Sequence, residues 1–442
     1  MKFCLISLGC DKNLVDSEKI GGLLRDAGHV LTDDEAEAEV IIINTCCFIH
    51  DAKEESIRTI IETAEYKQTG KLKKLIITGC LAERYADEIR EALPEVDAVV
   101  GTTAYEEIPK LLKKKAFQVS KRELSYLPDP DVKRLLSAGS YVSYLKIAEG
   151  CDKCCTYCII PKIRGPYRSV PMERLLSEAA YLAEQGTREL ILVAQETTLY
   201  GTDLYGHKAL PELLEKLCRI DGILRIRILY CYPEEITDEL IEVMKKEPKI
   251  CRYLDLPIQH ASDEILRKMG RRTNRRELEA RIRKLRKELP GITLRTTLIT
   301  GFPGETEEDF ETLSSFVEKM KFNRLGVFPY SPEEGTAAAK MKGRVPKRVK
   351  ERRRNAIMRL QRKICAEYGK KCVGKTFEVL VDGYLPEENV YVGRTYMDAP
   401  GVDGLVYFTA ERHLLSGDIV PVLVNGAKEY DLMGEMVYES AE

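Results

Sequence analysis

Short apolar runs recur through residues 3–332, and a polar, helix-forming stretch follows nearly every one. FCLISLGC, VIIINTC and KLIITGC come first. Each is continuous rather than alternating, the pattern of a strand buried on both faces of a parallel sheet. Helical stretches at 16–28, 52–68 and 82–93 accompany them, with Asp16 and Ser17 as expected caps of the first. The expectation is a flavodoxin-like α/β domain over residues 1–122. A polar, proline-bearing linker follows at 123–139. From 140 to 345 six more runs alternate with helices: YVSYLKIA, RELILVAQE, RIRILYCYP, YLDLPIQH, LRTTLITGF and RLGVFPYSP. Alternation of that length predicts a partial (β/α)6 barrel. A basic connecting helix spans 346–371. Beyond it, 372–442 changes to short alternating strands, the pattern of a small antiparallel β-barrel.

No window of the 442 residues approaches the ~20 apolar positions of a membrane span, and the N-terminus lacks an export signal. The expected location is the cytoplasm, with no membrane partner. The net charge of −2 favours no partner class. In a reducing compartment the fourteen cysteines are expected to bind metal or do redox work where they cluster.

They cluster twice. The first three strands all end in cysteine: LGC at Cys10, NTC at Cys46 and TGC at Cys80. Ligands of open α/β sheets bind outside the carboxyl ends of the strands, so three thiols there can converge on one centre. Cys4, inside its strand, reads as core, and Cys47 should face away from Cys46. The second cluster, CDKCCTYC at 151–158, follows the first barrel strand. Cys151 and Cys158 can be joined by Cys154 or by Cys155, and spacing alone does not decide. Three thiolates leave one metal position open, whereas four would close the site.

The stretch EGCDKCCTYCIIPKIRG resembles the C-x3-C-x2-C signature of radical S-adenosylmethionine enzymes. That resemblance implies a 4Fe–4S cluster on Cys151, Cys155 and Cys158, whose open iron takes S-adenosylmethionine, with Tyr157 near the adenine. Together with Cys10, Cys46 and Cys80, it extends to the methylthiotransferase family, in which those three hold a second 4Fe–4S cluster and the last domain is a TRAM domain. LGCDKNLVDSE, AQETTLYGTD, LDLPIQHASDEIL, LITGFPGETEEDF, VFPYSPEEGT and GRTYMDAPGVDGLVYF resemble the branch that methylthiolates an aspartate of protein twelve of the small ribosomal subunit. Two positions depart from the family pattern. Cys47 replaces a small residue and Cys154 a basic one.

An aspartate β-carbon carries a C–H of little acidity, so no ordinary base removes that proton, and a cofactor must supply a radical. The resemblance implies that one cluster gives an electron to S-adenosylmethionine, that the resulting 5′-deoxyadenosyl radical takes the hydrogen, and that the other cluster holds or supplies sulfur. A second S-adenosylmethionine gives the methyl group, and an electron-donor protein is implied. Further pocket candidates lie at barrel strand ends or along their strands: Gln195, Glu196, Arg295, Thr297 and Gly301, with His260, Arg164 and Arg168 as structural or charge-balancing residues. No nucleotide-hydrolysis motif is present.

Charge bears on the substrate. Residues 371–442 carry five basic against thirteen acidic side chains, which suits a basic protein partner and repels a phosphate backbone. From Lys347 to Lys370 the preceding helix carries ten basic residues against Glu351 and Glu367, a candidate contact for ribosomal RNA or for acidic surface of this chain. A tRNA adenosine methylthiotransferase is the alternative enzyme. An iron–sulfur electron-transfer or scaffold protein is the alternative of another class.

Overall fold

In the computed structural model, residues 1–136 and 141–438 are described. Residues 137–140, where the expected linker meets the barrel, and 439–442 lie outside them. The first sheet holds β1 (Lys2–Ser7), β2 (Val30–Leu31), β3 (Val40–Thr45), β4 (Lys74–Gly79), β5 (Ala98–Val100) and β6 (Gln118–Ser120). Its order is β2-β1-β3-β4-β5-β6, parallel throughout, the doubly wound arrangement with its switch point between β1 and β3. All six residues of β3 are buried, which is why that run shows no alternation.

The first helix begins earlier than the pattern suggested. It runs Asp11–Asp26, with Cys10 as its N-cap, so Asp16 and Ser17 are interior residues and not caps. The sequence misled because this helix buries a polar face: Lys12, Asn13, Asp16, Ser17, Glu18 and Lys19 are all buried. Lys12, Asp16 and Lys19 find their partners in the next domain, at Tyr230, at Lys146 and Arg164, and at Glu178. The helical stretch at 82–93 is likewise two helices, Cys80–Arg84 and Ala86–Ala92, broken at Tyr85.

The second unit comprises β7 (Val142–Lys146), a short antiparallel ladder of β8 (Ala148–Glu149) and β9 (Arg168–Ser169), and then β10 (Glu189–Val193), β11 (Arg225–Ile228), β12 (Ile250–Asp255), β13 (Thr293–Thr300) and β14 (Arg324–Pro329). β7 and β10–β14 form a six-stranded parallel sheet in sequential order, with β7 and β14 at its edges. That is an open partial barrel. Its outward face packs the helices through one large apolar core that includes Leu190, Leu192, Ile226, Ile228, Leu254 and Leu294.

The helix Lys347–Cys372 crosses behind the last strands. It leads to a closed five-stranded barrel of β15 (Thr376–Leu385), β16 (Val390–Arg394), β17 (Val406–Thr409), β18 (Ile419–Lys428) and β19 (Asp431–Met436). Four of its strand pairs are antiparallel. The closing pair, β17 with β19, is parallel.

Two polar interfaces lock these units together. Arg134 is buried and donates to Glu18 at 2.9 Å and to Glu178 at 3.0 Å, which ties the first helix to the partial barrel. At the N-terminal half of the barrel strands, the loop between β16 and β17 fills the lumen. Arg227 donates to the Tyr396 carbonyl at 2.8 Å and Tyr253 Oη to Asp403 at 2.7 Å. Arg324 bonds Asp398 at 2.9 Å, and Ala399 packs with Ile191, Val193 and Tyr253. Glu189 sits between Arg227 and Arg394, each at 2.8 Å.

Candidate active site

The carboxyl ends of β1, β3 and β4 bring the first three cysteines together. Backbone geometry makes the close approach possible. Gly9 has φ +91°, and a Cβ there would lie 2.7 Å from Cys46 Cβ. Gly79, at φ +90°, would place a Cβ 2.3 Å from Asn44 Oδ1. Only glycine adopts such a backbone in so little space. Asn13 Nδ2 then donates to the carbonyls of Leu8 and Thr45, at 2.9 and 3.1 Å, and so clamps the Cys10 loop to the Cys46 loop. Ser56 exchanges hydrogen bonds with both the amide and the carbonyl of Cys46. Cys47 is fully buried in the apolar cluster around Ile41, Ile43 and Leu81.

In the second cluster Cys151 and Cys155 are buried and Cys158 is half-buried, while Cys154 is exposed with φ +52°. The chain turns through a left-handed residue at Cys154 and delivers Cys155 inward. Tyr232 Oη lies 3.7 Å from Cys155 Sγ.

Burial pushes the thiols of Cys46 and Cys158 up to about 12 and that of Cys151 up to about 11, and it raises Cys80 as well. Such thiols stay protonated at neutral pH unless a metal takes the proton's place. Among the described residues no three His, Cys, Asp or Glu side chains are grouped to hold a metal ion. An iron–sulfur cube spreads its thiolates over separate corners, and two trios of buried and half-buried thiols suit that donor set.

A buried charge network joins the two trios. Arg164 donates to Asp16 at 2.8 Å and to Glu149 at 3.2 Å, and also bonds Asn13. Its guanidinium lies beside Cys80 and keeps that thiol from rising further. Lys146 bonds Asp16 and Glu149. Glu149 accepts from Gln195 Nε2 at 2.7 Å. Arg164 therefore reaches from the short helix after Cys158, Ile160–Arg164, to the cradle of the first trio. Arg168 donates to the carbonyls of Arg164 and Pro166.

Gln195 and Glu196 are placed at the mouth of this region. Each retains one buried side-chain oxygen without a hydrogen-bond donor. Burial pushes the Glu196 carboxyl up to about 7 despite its bonds from Thr198. Tyr157 packs edge-on against Phe302, with ring centroids 6.5 Å apart. The other candidates are engaged elsewhere. Arg295 pairs with Asp255 at 2.9 Å and Asp403 at 3.5 Å, at the C-terminal loop's contact, and its guanidinium is 3.5 Å from Thr297 Oγ1. The Gly301 amide donates to Glu305, and a Cβ there would strike Lys350. His260 accepts from the Ser262 amide and faces Glu305 at 3.4 Å.

Sequence reasoning passed over Arg271. Its side chain is 1% exposed, its guanidinium carbon lies 4.1 Å from the Tyr232 ring centre, and Glu234 is 3.7 Å away. None of its three side-chain nitrogens makes a hydrogen bond among the described residues. A buried guanidinium with free donors beside Tyr157 and Cys155 is ready for an anionic group. Only burial distinguishes it from the other basic residues of LRKMGRRTNRR.

Comparison with known proteins agrees with this organisation. Family models match residues 2–101 (uncharacterized protein family UPF0004), 145–317 (radical SAM superfamily) and 373–437 (TRAM domain). A protein of Lachnoclostridium phytofermentans, ribosomal protein uS12 methylthiotransferase RimO, is 60% identical over 98% of this chain and 99% of its own length. The protein of the same name from Clostridioides difficile is 51% identical over the whole of both chains. The chain belongs to the RimO family. Among solved structures, the radical S-adenosylmethionine methyltransferase TsrM of Kitasatospora setae aligns with a TM-score of 0.57 at 15% identity, covering 86% of this chain and 79% of its own. At that identity the likeness is one of fold. The three matched segments of this RimO family member each fall inside one block of the sequence reading.

Proposed function

We propose that this protein methylthiolates the β-carbon of an aspartate in ribosomal protein uS12. The observation that carries the reading is the pair of thiol trios at the carboxyl ends of two adjoining parallel sheets, joined by Arg164. In the proposed site Cys10, Cys46 and Cys80 hold one 4Fe–4S cluster, and Cys151, Cys155 and Cys158 hold the other. Bound there, the clusters and two S-adenosylmethionines supply the radical, the sulfur and the methyl group. The chain's own side chains bind and orient. Arg271 pairs with the carboxylate of S-adenosylmethionine. The free oxygens of Gln195 and Glu196 accept from its donors, and Tyr157 lies against the adenine. Thr297 and the Gly301 turn remain in the second rank of this set, and Arg295 is better placed to hold the C-terminal loop. Walls of Tyr157, Tyr232 and Phe302 keep water from the reacting atoms.

Charge supports a protein substrate. Three of the thirteen C-terminal acidic residues, Asp382, Asp398 and Asp403, are spent on Arg394, Arg324 and Arg295, and most of the rest stay at the surface for a basic partner. In the basic helix, Arg353 is buried against Glu305 and Glu307, and Arg352 also pairs with Glu307, so part of that charge serves the chain itself. The remaining basic residues are the proposed contact with ribosomal RNA. A low-potential protein of the cytoplasm is the proposed electron donor. No helix among the described residues is long and apolar enough to cross a membrane.

The test is anaerobic reconstitution with iron, sulfide, reductant and S-adenosylmethionine. Protein uS12 and tRNA are offered separately, and mass spectrometry follows the methylthio group. The expected product is modified protein with a new group on the aspartate. Modified tRNA beside unmodified protein would establish the alternative enzyme. Absence of S-adenosylmethionine cleavage would favour an electron-transfer role.

A further inference from the structure

Lys12 stands out among the buried charges. It is 6% exposed, on the first helix, two residues after Cys10. Unlike Lys19 and Lys146, it has no carboxylate within 4 Å among the described residues. Its ammonium instead crosses to the partial barrel and lies 3.3 Å from the ring centre of Tyr230. The groups around it are that ring, the Cys10 thiol and the carboxylate of Asp11, which takes the Tyr230 hydroxyl at 3.5 Å. Tyr230 has φ +59°, a left-handed backbone that costs a non-glycine residue energy and marks a held geometry. A ring face attracts a cation but satisfies few of the ammonium's three N–H donors. Tyr230, Cys10 and Asp11 keep the ammonium charged despite its burial, and with no carboxylate within 4 Å among the described residues it keeps N–H donors to offer an incoming anion.

We infer that Lys12 binds the γ-carboxylate of the substrate aspartate and is the residue that selects that side chain. The inference rests on the protein-aspartate reading above and adds the side chain that recognises the substrate. The carboxylate is bonded to the carbon that loses hydrogen, so fixing it at Lys12 turns the β C–H into the chamber and sets the carbon beside Cys10, on the sulfur-holding side. An asparagine of the same shape would bring no charge to the ammonium.

The experiment measures affinity by fluorescence anisotropy, using reconstituted full-length protein and three labelled uS12 peptides that carry Asp, Asn or Ala at the modified position. Wild type is expected to hold the Asp peptide about ten- to a hundredfold more tightly than the Asn peptide, the range of a charge-assisted contact. Lys12→Met is expected to erase that ratio while leaving iron content unchanged. Lys12→Arg is expected to restore part of it. Equal wild-type affinity for Asp and Asn would overturn the inference without touching the proposed function, and it needs no variant to fold. So would a Lys12→Met protein that kept the ratio and shifted the paramagnetic-resonance signal of the first cluster, since Lys12 would then serve the cluster. Failure of all three peptides to bind, with tRNA modified instead, would overturn the functional reading itself.

Discussion

Tyr230 and Tyr232, two residues apart at the end of one strand, touch the two cysteine trios separately. Tyr230 lies under Lys12 beside Cys10, and the Tyr232 hydroxyl is 3.7 Å from Cys155 Sγ. The segment Leu229–Pro233, directly after β11, is therefore a wall common to both trios.

Cys154 and Cys155 are neighbours with opposite expected fates. Cys155→Ala should lose the barrel cluster's iron and all 5′-deoxyadenosine formation. Cys154→Gly keeps the left-handed turn and should retain both. Iron assay and product chromatography on anaerobic protein would show it.

Cys47 packs in apolar surroundings and is not needed to ligate. Cys47→Ala should leave the first cluster's iron and methylthio transfer near wild type. It should cost about 1 kcal/mol of stability for the lost packing, read by urea unfolding of the first domain.

Asp16 is the shared acceptor of Lys146 and Arg164. Asp16→Ala leaves two buried cations to share Glu149 alone, a loss of about 3 kcal/mol. The expected result is faster proteolysis in the 123–136 segment and loss of sulfur insertion, with S-adenosylmethionine cleavage largely kept. Cleavage and insertion falling together would remove the assigned bridging role.

Glu189 gives a pH signature. Burial opposes its ionisation, but Arg227 and Arg394 outweigh that and hold the carboxyl down at about 2. A depressed carboxyl contributes stability that is full above its ordinary value of 4.5 and is lost as pH falls from there through about 2. Acidification across that window should release the C-terminal barrel, seen as hydrogen exchange at Arg394–Asp398. Glu189→Gln should start looser and show a flatter profile.

The strand–helix alternation and the place of the cysteines at strand ends were legible because both follow from local pattern. Continuous apolar runs mark buried parallel strands, and a cysteine that closes each run falls at the end where such sheets bind ligands. The choice between Cys154 and Cys155 needed a family resemblance, since a left-handed residue at Cys154 leaves no mark on spacing. Lys12, Asp16 and Arg271 were not legible as buried groups. The partners of Asp16, Lys146 and Arg164, lie 130 or more residues along the chain, so its helix shows no apolar stripe to betray the face it hides. Lys12 offered one clue, its place two residues after a ligand candidate. Arg295 reads as a pocket residue by position, yet its charge is spent on a loop that only the tertiary fold brings near.

The seating of Thr395–Asp403 among Arg227, Arg295 and Arg324 has an evolutionary corollary. A C-terminal module taken from a relative that reads another macromolecule could not be spliced on as a cassette, because its inserted turn must match this arginine layer acceptor for acceptor. Changes of substrate in such a lineage have to come through the outer surface of the module, or through paired substitutions on both sides of the seam.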